Sequence, residues 1–212
     1  LEKLTIADWA IDRDEYPFVG GYQLPTYAMR GALAESWEQP DPLTYVFNIR
    51  KGVQWHNKAP MNGRELTAED IEYNFHRMVG LGSGFTEPGA LYAFLGYSVI
   101  ESITATDKYT VVFKLKEDVT GKTFYFGFNI AQVIAASYYA DIYPPEVIEE
   151  HGDAKDWRNL VGTGPFRLTD YTEGSSSSWE KNPNYWGYDE KFPENRLPYI
   201  DEYRQLLMPD MS

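Results

Sequence analysis

Leu43, Tyr45, Phe47 and Ile49 alternate with Thr44, Val46, Asn48 and Arg50. An apolar residue at every second position sets one strand face on a core and the other toward water. The same period returns over residues 109–116, where Tyr109, Val111, Phe113 and Leu115 share a face. With residues 99–105 before it, that segment predicts a hairpin turning at Thr106-Asp107-Lys108. Between these strands the period changes to that of a helix. Ile71, Phe75 and Met78 form a stripe running to about Val79, and Thr67 followed by Asp70 makes a capping box with Asp in place of Glu. Leu66 and Ile71 stand at the staple positions, and Gly80, Gly82 and Gly84 close the helix.

The rest of the chain is less regular. Residues 4–9 read as a strand, followed by turns through Pro17, Gly20-Gly21 and Pro25, with no long helix before residue 40. Residues 123–140 are aromatic and alanine-rich, which predicts partial helix. Pro144-Pro145 breaks it, and residues 146–150 make a short acidic helix. Beyond Val161-Gly162-Thr163-Gly164-Pro165 come strands at 166–171 and 178–181, joined by a Gly/Ser tip at 172–177, and a last strand at 200–208. No internal repeat is visible.

The 212 residues hold one good-sized core, or one domain and part of another. With 43% apolar and 24% charged residues the chain is globular, and no apolar run approaches the roughly 18 residues of a membrane span. No charged-then-apolar segment opens it, so an export signal is expected to lie outside this sequence. The net charge of −13, with 19 basic residues scattered, argues against nucleic acid. Having no cysteine excludes disulfides, thiolate metal sites and Cys nucleophiles. Six Trp and 17 Tyr suit either a ligand cleft or carbohydrate platform, or a β-rich core, and the core takes most of them.

Candidate chemistry is sparse. His56 ends Gly52-Val53-Gln54-Trp55-His56, but no carboxylate and nucleophile are legible beside it, so it reads as a hydrogen-bonded structural group. Glu72 and His76 share a helix face, yet zinc takes three or four ligands and His151 has no matching spacing. They read as an exposed helix pair. Glu35, Glu38 and Asp41 could supply a glycosidase acid and nucleophile, or simply solvate a surface. Gly162-Thr163-Gly164-Pro165 lacks the Lys-Ser/Thr ending of a phosphate loop and reads as a tight crossover. No catalytic residue, metal site or cofactor is assigned.

Five segments in order resemble the bacterial extracellular solute-binding proteins of family 5, which include the oligopeptide- and dipeptide-binding proteins of ABC importers. They are Leu33-Ala34-Glu35-Ser36-Trp37-Glu38, Tyr45-Val46-Phe47-Asn48-Ile49-Arg50-Lys51-Gly52-Val53-Gln54-Trp55-His56, Leu66-Thr67-Ala68-Glu69-Asp70-Ile71, and Val161-Gly162-Thr163-Gly164-Pro165-Phe166. The fifth is Asn182-Pro183-Asn184-Tyr185-Trp186-Gly187 with Leu197-Pro198-Tyr199-Ile200-Asp201. The resemblance implies an α+β fold: a mixed or antiparallel sheet domain with packed helices, inserted in a periplasmic binding protein-like II fold. Residues 1–162 would be that inserted domain, and 163–212 a few strands of an incomplete first ligand-binding lobe.

The function so implied is capture of peptides or similar small solutes outside the cytoplasmic membrane, without catalysis. The chain would be an amino-proximal fragment that does not bind alone, because the charged groups for peptide termini come largely from the later lobe. Tyr92, in Leu91-Tyr92-Ala93-Phe94-Leu95, is placed at the cleft edge, with core packing alongside Phe94 as its alternative, and Trp186, near the lobe return, is the second candidate. Implied partners are the solute and the ABC permease subunits, in the periplasm or at a lipid anchor, with self-association through the 200–208 strand edge. A carbohydrate-binding receptor of the same fold and a glycoside hydrolase remain as alternatives.

Overall fold

The computed structural model describes residues 1–18, 26–89, 99–116 and 140–208. The chain forms two compact units, one from Glu2–Lys51 and Thr67–Ile142, the other from Leu1, Gly52–Leu66 and Tyr143–Ser212. The predicted helix within 123–140 lies almost wholly outside the described residues.

The first unit opens with a two-stranded antiparallel ribbon, β1 (Thr5–Ala7) with β2 (Met29–Gly31). Its main sheet has β3 (Ala34–Asp41), β4 (Thr44–Ile49), β5 (Ile100–Asp107) and β6 (Thr110–Leu115) in the order β3-β4-β6-β5, antiparallel throughout. The period-two reading places the core: Tyr45, Phe47 and Ile49 of β4 and Val111, Phe113 and Leu115 of β6 are buried. Helix α1 (Ala68–Val79) packs against β5 and β6 and buries Ile71, Phe75 and Met78. Phe113 is the hub, with its ring edge-to-face with Phe47 at 5.5 Å and with Phe75 at 4.9 Å.

The ends of α1 follow from local chemistry. The Asp70 carboxylate accepts the Thr67 N–H at 2.9 Å, completing the capping box and satisfying an orphan donor. Gly80 then takes φ +70°, and its N–H returns to the His76 carbonyl.

Two expectations shift here. The β5–β6 turn is Lys108-Tyr109, one residue later than its pattern suggested, because Asp107 extends β5 and accepts the Tyr109 N–H at 2.8 Å. Residues 34–41, to which the sequence pattern assigns no element, form an edge strand. Ala34 is buried, but Glu35, Glu38, Pro40 and Asp41 are exposed. An edge strand with one dry residue and two register irregularities carries no alternation to read.

The second unit holds a three-stranded antiparallel sheet, β7 (Phe166–Thr172), β8 (Ser176–Lys181) and β9 (Glu202–Leu206), in chain order. Two of the three serines expected at the hairpin tip, Ser176 and Ser177, belong to β8. Ser176 is buried and Ser177 accepts the Trp179 indole N–H at 2.9 Å, so the tip shrinks to residues 173–175. Trp179 stacks on Tyr203 of β9 with ring planes 6° apart. A short helix, α2 (Pro145–His151), starts with Pro145 where a missing N–H costs nothing. Residues 52–66 double back on themselves, with Trp55 N–H to the Arg64 carbonyl and Leu66 N–H to the Val53 carbonyl, and bury Val53, Trp55, Met61 and Leu66.

Candidate functional site

The most constrained polar site among the described residues lies in the second unit, around the turn Gly162-Thr163-Gly164-Pro165. His56, on the 52–66 segment, is buried, and its own N–H donates to the Gly162 carbonyl at 2.7 Å. Its Nδ1 accepts the Gly162 N–H at 3.3 Å, so the ring proton sits on Nε2 and is donated to the Gly164 carbonyl at 3.0 Å. From the other side Asn182 donates through Nδ2 to that same carbonyl at 3.0 Å, and its N–H bonds the Pro165 carbonyl at 2.7 Å. Every polar atom of the His56 ring is therefore spent on backbone. The ring is a clasp across a turn, as expected of a structural histidine.

Burial is the main force on its titration, lowering the His56 pKa to about 4. The Gly164 bond opposes that shift, and the charges at Arg167 and Lys58 reinforce it. The unfolded ring titrates near 6.5 and the folded ring near 4, so the unfolded chain binds more protons between those values. Stability is full above pH 6.5 and falls by up to about 3 kcal/mol as pH drops toward 4. His56→Gln keeps a donor but cannot titrate, and its urea midpoint should decline less than wild type between pH 7 and 4. Identical declines would contradict this assignment.

A second brace joins α2 to the 52–66 segment. Arg64 grips Glu146 through Nε–Oε1 at 2.5 Å and Nη2–Oε2 at 2.8 Å. Burial raises the Glu146 pKa, but the Arg64 hydrogen bonds outweigh it and hold the carboxyl below its usual range.

Other candidates fall differently from their sequence reading. His76 is not part of an exposed pair. It is buried, donating Nε2–H to the Ile103 carbonyl at 3.0 Å and accepting from the Ser83 hydroxyl at Nδ1 at 2.9 Å, with Glu72 3.9 Å away. Glu35 and Glu38 stand exposed on edge strand β3, while the Asp41 carboxylate is occupied by the Leu43 N–H at 2.8 Å. Tyr92 lies outside the described residues. Trp186 is half-buried in the β8–β9 connection, with its ring 5.4 Å from that of Tyr185. Asn182 was missed as a clasp residue; its one sequence cue is the Asn-Pro pair just after a strand, and its partners lie 17 and 18 residues earlier.

No helix among the described residues is long and apolar enough to cross a membrane. The chain is 29% identical over 198 residues to the dipeptide-binding protein of Escherichia coli, covering 90% of this chain and 35% of that protein. It is 31% identical over 173 residues to the dipeptide-binding protein DppE of Bacillus subtilis, covering 74% and 28%. Among solved structures it is similar to the ABC transporter-associated periplasmic binding protein DppA of Helicobacter pylori in complex with the peptide STSA. That match has a TM-score of 0.62 and 26% identity, covering 94% of this chain and 40% of that one. The chain thus spans about a third of the length of the curated relatives it matches. The family model for the middle region of bacterial extracellular solute-binding proteins, family 5, matches residues 28–211, and the chain belongs to that family.

Proposed function

We propose that the chain is part of the substrate-binding component of an ABC importer, capturing peptides or similar small solutes outside the cytoplasmic membrane. The observation that carries this is the match of 90% of the chain to a dipeptide-binding protein. In this reading residues 1–162 are the inserted α+β domain and 163–212 contribute strands to the first ligand-binding lobe. The solute is enclosed between two lobes, with backbone hydrogen bonds supplying affinity and roomy pockets tolerating its side chains. Tyr92 and Trp186 stand at the edge of that cleft. The groups that hold the peptide's termini come from the part of the protein beyond this chain. The closed form is presented to the permease subunits from the periplasm or from a lipid anchor, no catalysis is involved, and the β9 edge allows chains to self-associate.

The reading is tested with a protein extended to the length of the relatives. Dipeptides and oligopeptides should raise its melting temperature, since ligand at 100 times Kd stabilises by about 2.7 kcal/mol. A rise with oligosaccharides alone would overturn it in favour of a sugar receptor.

A further inference from the structure

We propose that His56 is an acid-released latch, holding the Gly162-to-Pro165 turn against the 52–66 segment near neutral pH and letting go locally in acid while the β7–β8–β9 sheet stays formed. The proposal rests on how the bonds at this turn are divided. His56 contributes one backbone and two ring bonds, and Asn182 contributes one bond from Nδ2 and one from its N–H. Among these five, the ring bonds alone can be switched by a proton.

Protonation at Nδ1 turns an acceptor into a donor that faces another donor, the Gly162 N–H at 3.3 Å. The new charge also meets an unfavourable field. On its own segment His56 is near Lys58, whose ammonium donates to the Leu160 carbonyl and is offset by Asp156. From β7 it faces Arg167, which pairs with Glu180 of β8 at 3.0 Å. The groups bonded to the ring, the 162–165 backbone, carry no charge, and no carboxylate accepts a bond from the ring. A buried cation without a partner is costly, and swinging the ring to water relieves it at the loss of two hydrogen bonds. Asn182 does not titrate and keeps hold of Gly164 and Pro165, which confines the release to one side of the turn. The low folded-state pKa of the ring, about 4, is the thermodynamic counterpart of this arrangement.

Amide hydrogen exchange, corrected for intrinsic rates, tests the latch in the whole 212-residue chain alongside ¹⁵N spectra of the histidine rings. Gly162 donates to the His56 ring, so its protection reports the latch directly. A ring that moves from a folded pKa near 4 to an unfolded value of 6.5 should cost Gly162 roughly a hundredfold in protection between pH 7 and 4.5. At pH 4.5 the Gly162 amide should open at a free energy well below that of the β8 amides and with little dependence on urea, while the β8 amides exchange through unfolding, and the neutral ring should carry its proton on Nε2. His56→Gln should flatten the pH dependence at Gly162. Should that variant not fold, comparing Gly162 with the β8 amides in the wild type decides alone. A Gly162 amide that opens only together with the β8 amides, with the same dependence on urea, or one indifferent to pH, would overturn the latch.

Discussion

Phe113→Ala is expected to cost the sheet-and-helix unit about 3–5 kcal/mol, the range for removing a fully buried aromatic ring. The ring is inaccessible to solvent and meets both Phe47 and Phe75 edge-on. Truncation therefore opens a cavity at the seam between β4, β6 and α1, where neighbours in close packing cannot collapse to fill it. The next residue sharpens the test. Lys114 points to the exposed face of β6, and Lys114→Ala should change stability by less than about 0.5 kcal/mol. Hydrogen exchange of the β4 amides is the suitable readout, since a chain of two compact units need not unfold in one step. Equal costs at 113 and 114 would mean that this face is not the core.

Gly80→Ala is expected to cost at least about 3 kcal/mol, from two sources that can be separated. The φ of +70° alone costs an alanine about 1–2 kcal/mol. In addition, a Cβ there would lie 2.4 Å from the Glu87 carbonyl carbon and 2.6 Å from the Pro88 nitrogen. Both are backbone atoms, and the segment carrying them is tied to α1 by the Gly89 N–H bond to the Met78 carbonyl. Gly84 has φ +83° with no atom within 4 Å of the would-be Cβ. Gly84→Ala therefore reports the backbone cost by itself, about 1–2 kcal/mol. If Gly80→Ala were no worse than Gly84→Ala, the close approach of residues 87–88 would be wrong.

These positions also show what a sequence can reveal. Strands β4 and β6 and helix α1 were legible because each lies half-buried against one core, so burial imposes a period of 2 or 3.6 on residue choice. The capping box was legible because both partners lie within four residues. What escaped was set by distance or by weak burial. β3 is an exposed edge whose place is fixed by β4, including the Asn48 to Ser36 side-chain bond at 3.0 Å, and not by its own pattern. His76 looked like a surface residue because its neighbours Glu72 and Arg77 are charged; its partner Ile103 is 27 residues away. The serines of β8 read as a hairpin tip because a polar strand and a turn share a composition. The structural role of His56 was inferred from the lack of catalytic neighbours. Its partners, 106 and 108 residues along the chain, could come from the coordinates alone.

Calorimetry is the most direct check on whether this polypeptide shapes a closable pocket without completing it. A dipeptide and a longer peptide would be titrated into the 212-residue chain, then into the same protein extended to the length of its relatives. No binding heat is expected from the short chain, and saturable, one-to-one binding is expected from the long one. Tight stoichiometric binding to the 212 residues alone would contradict it.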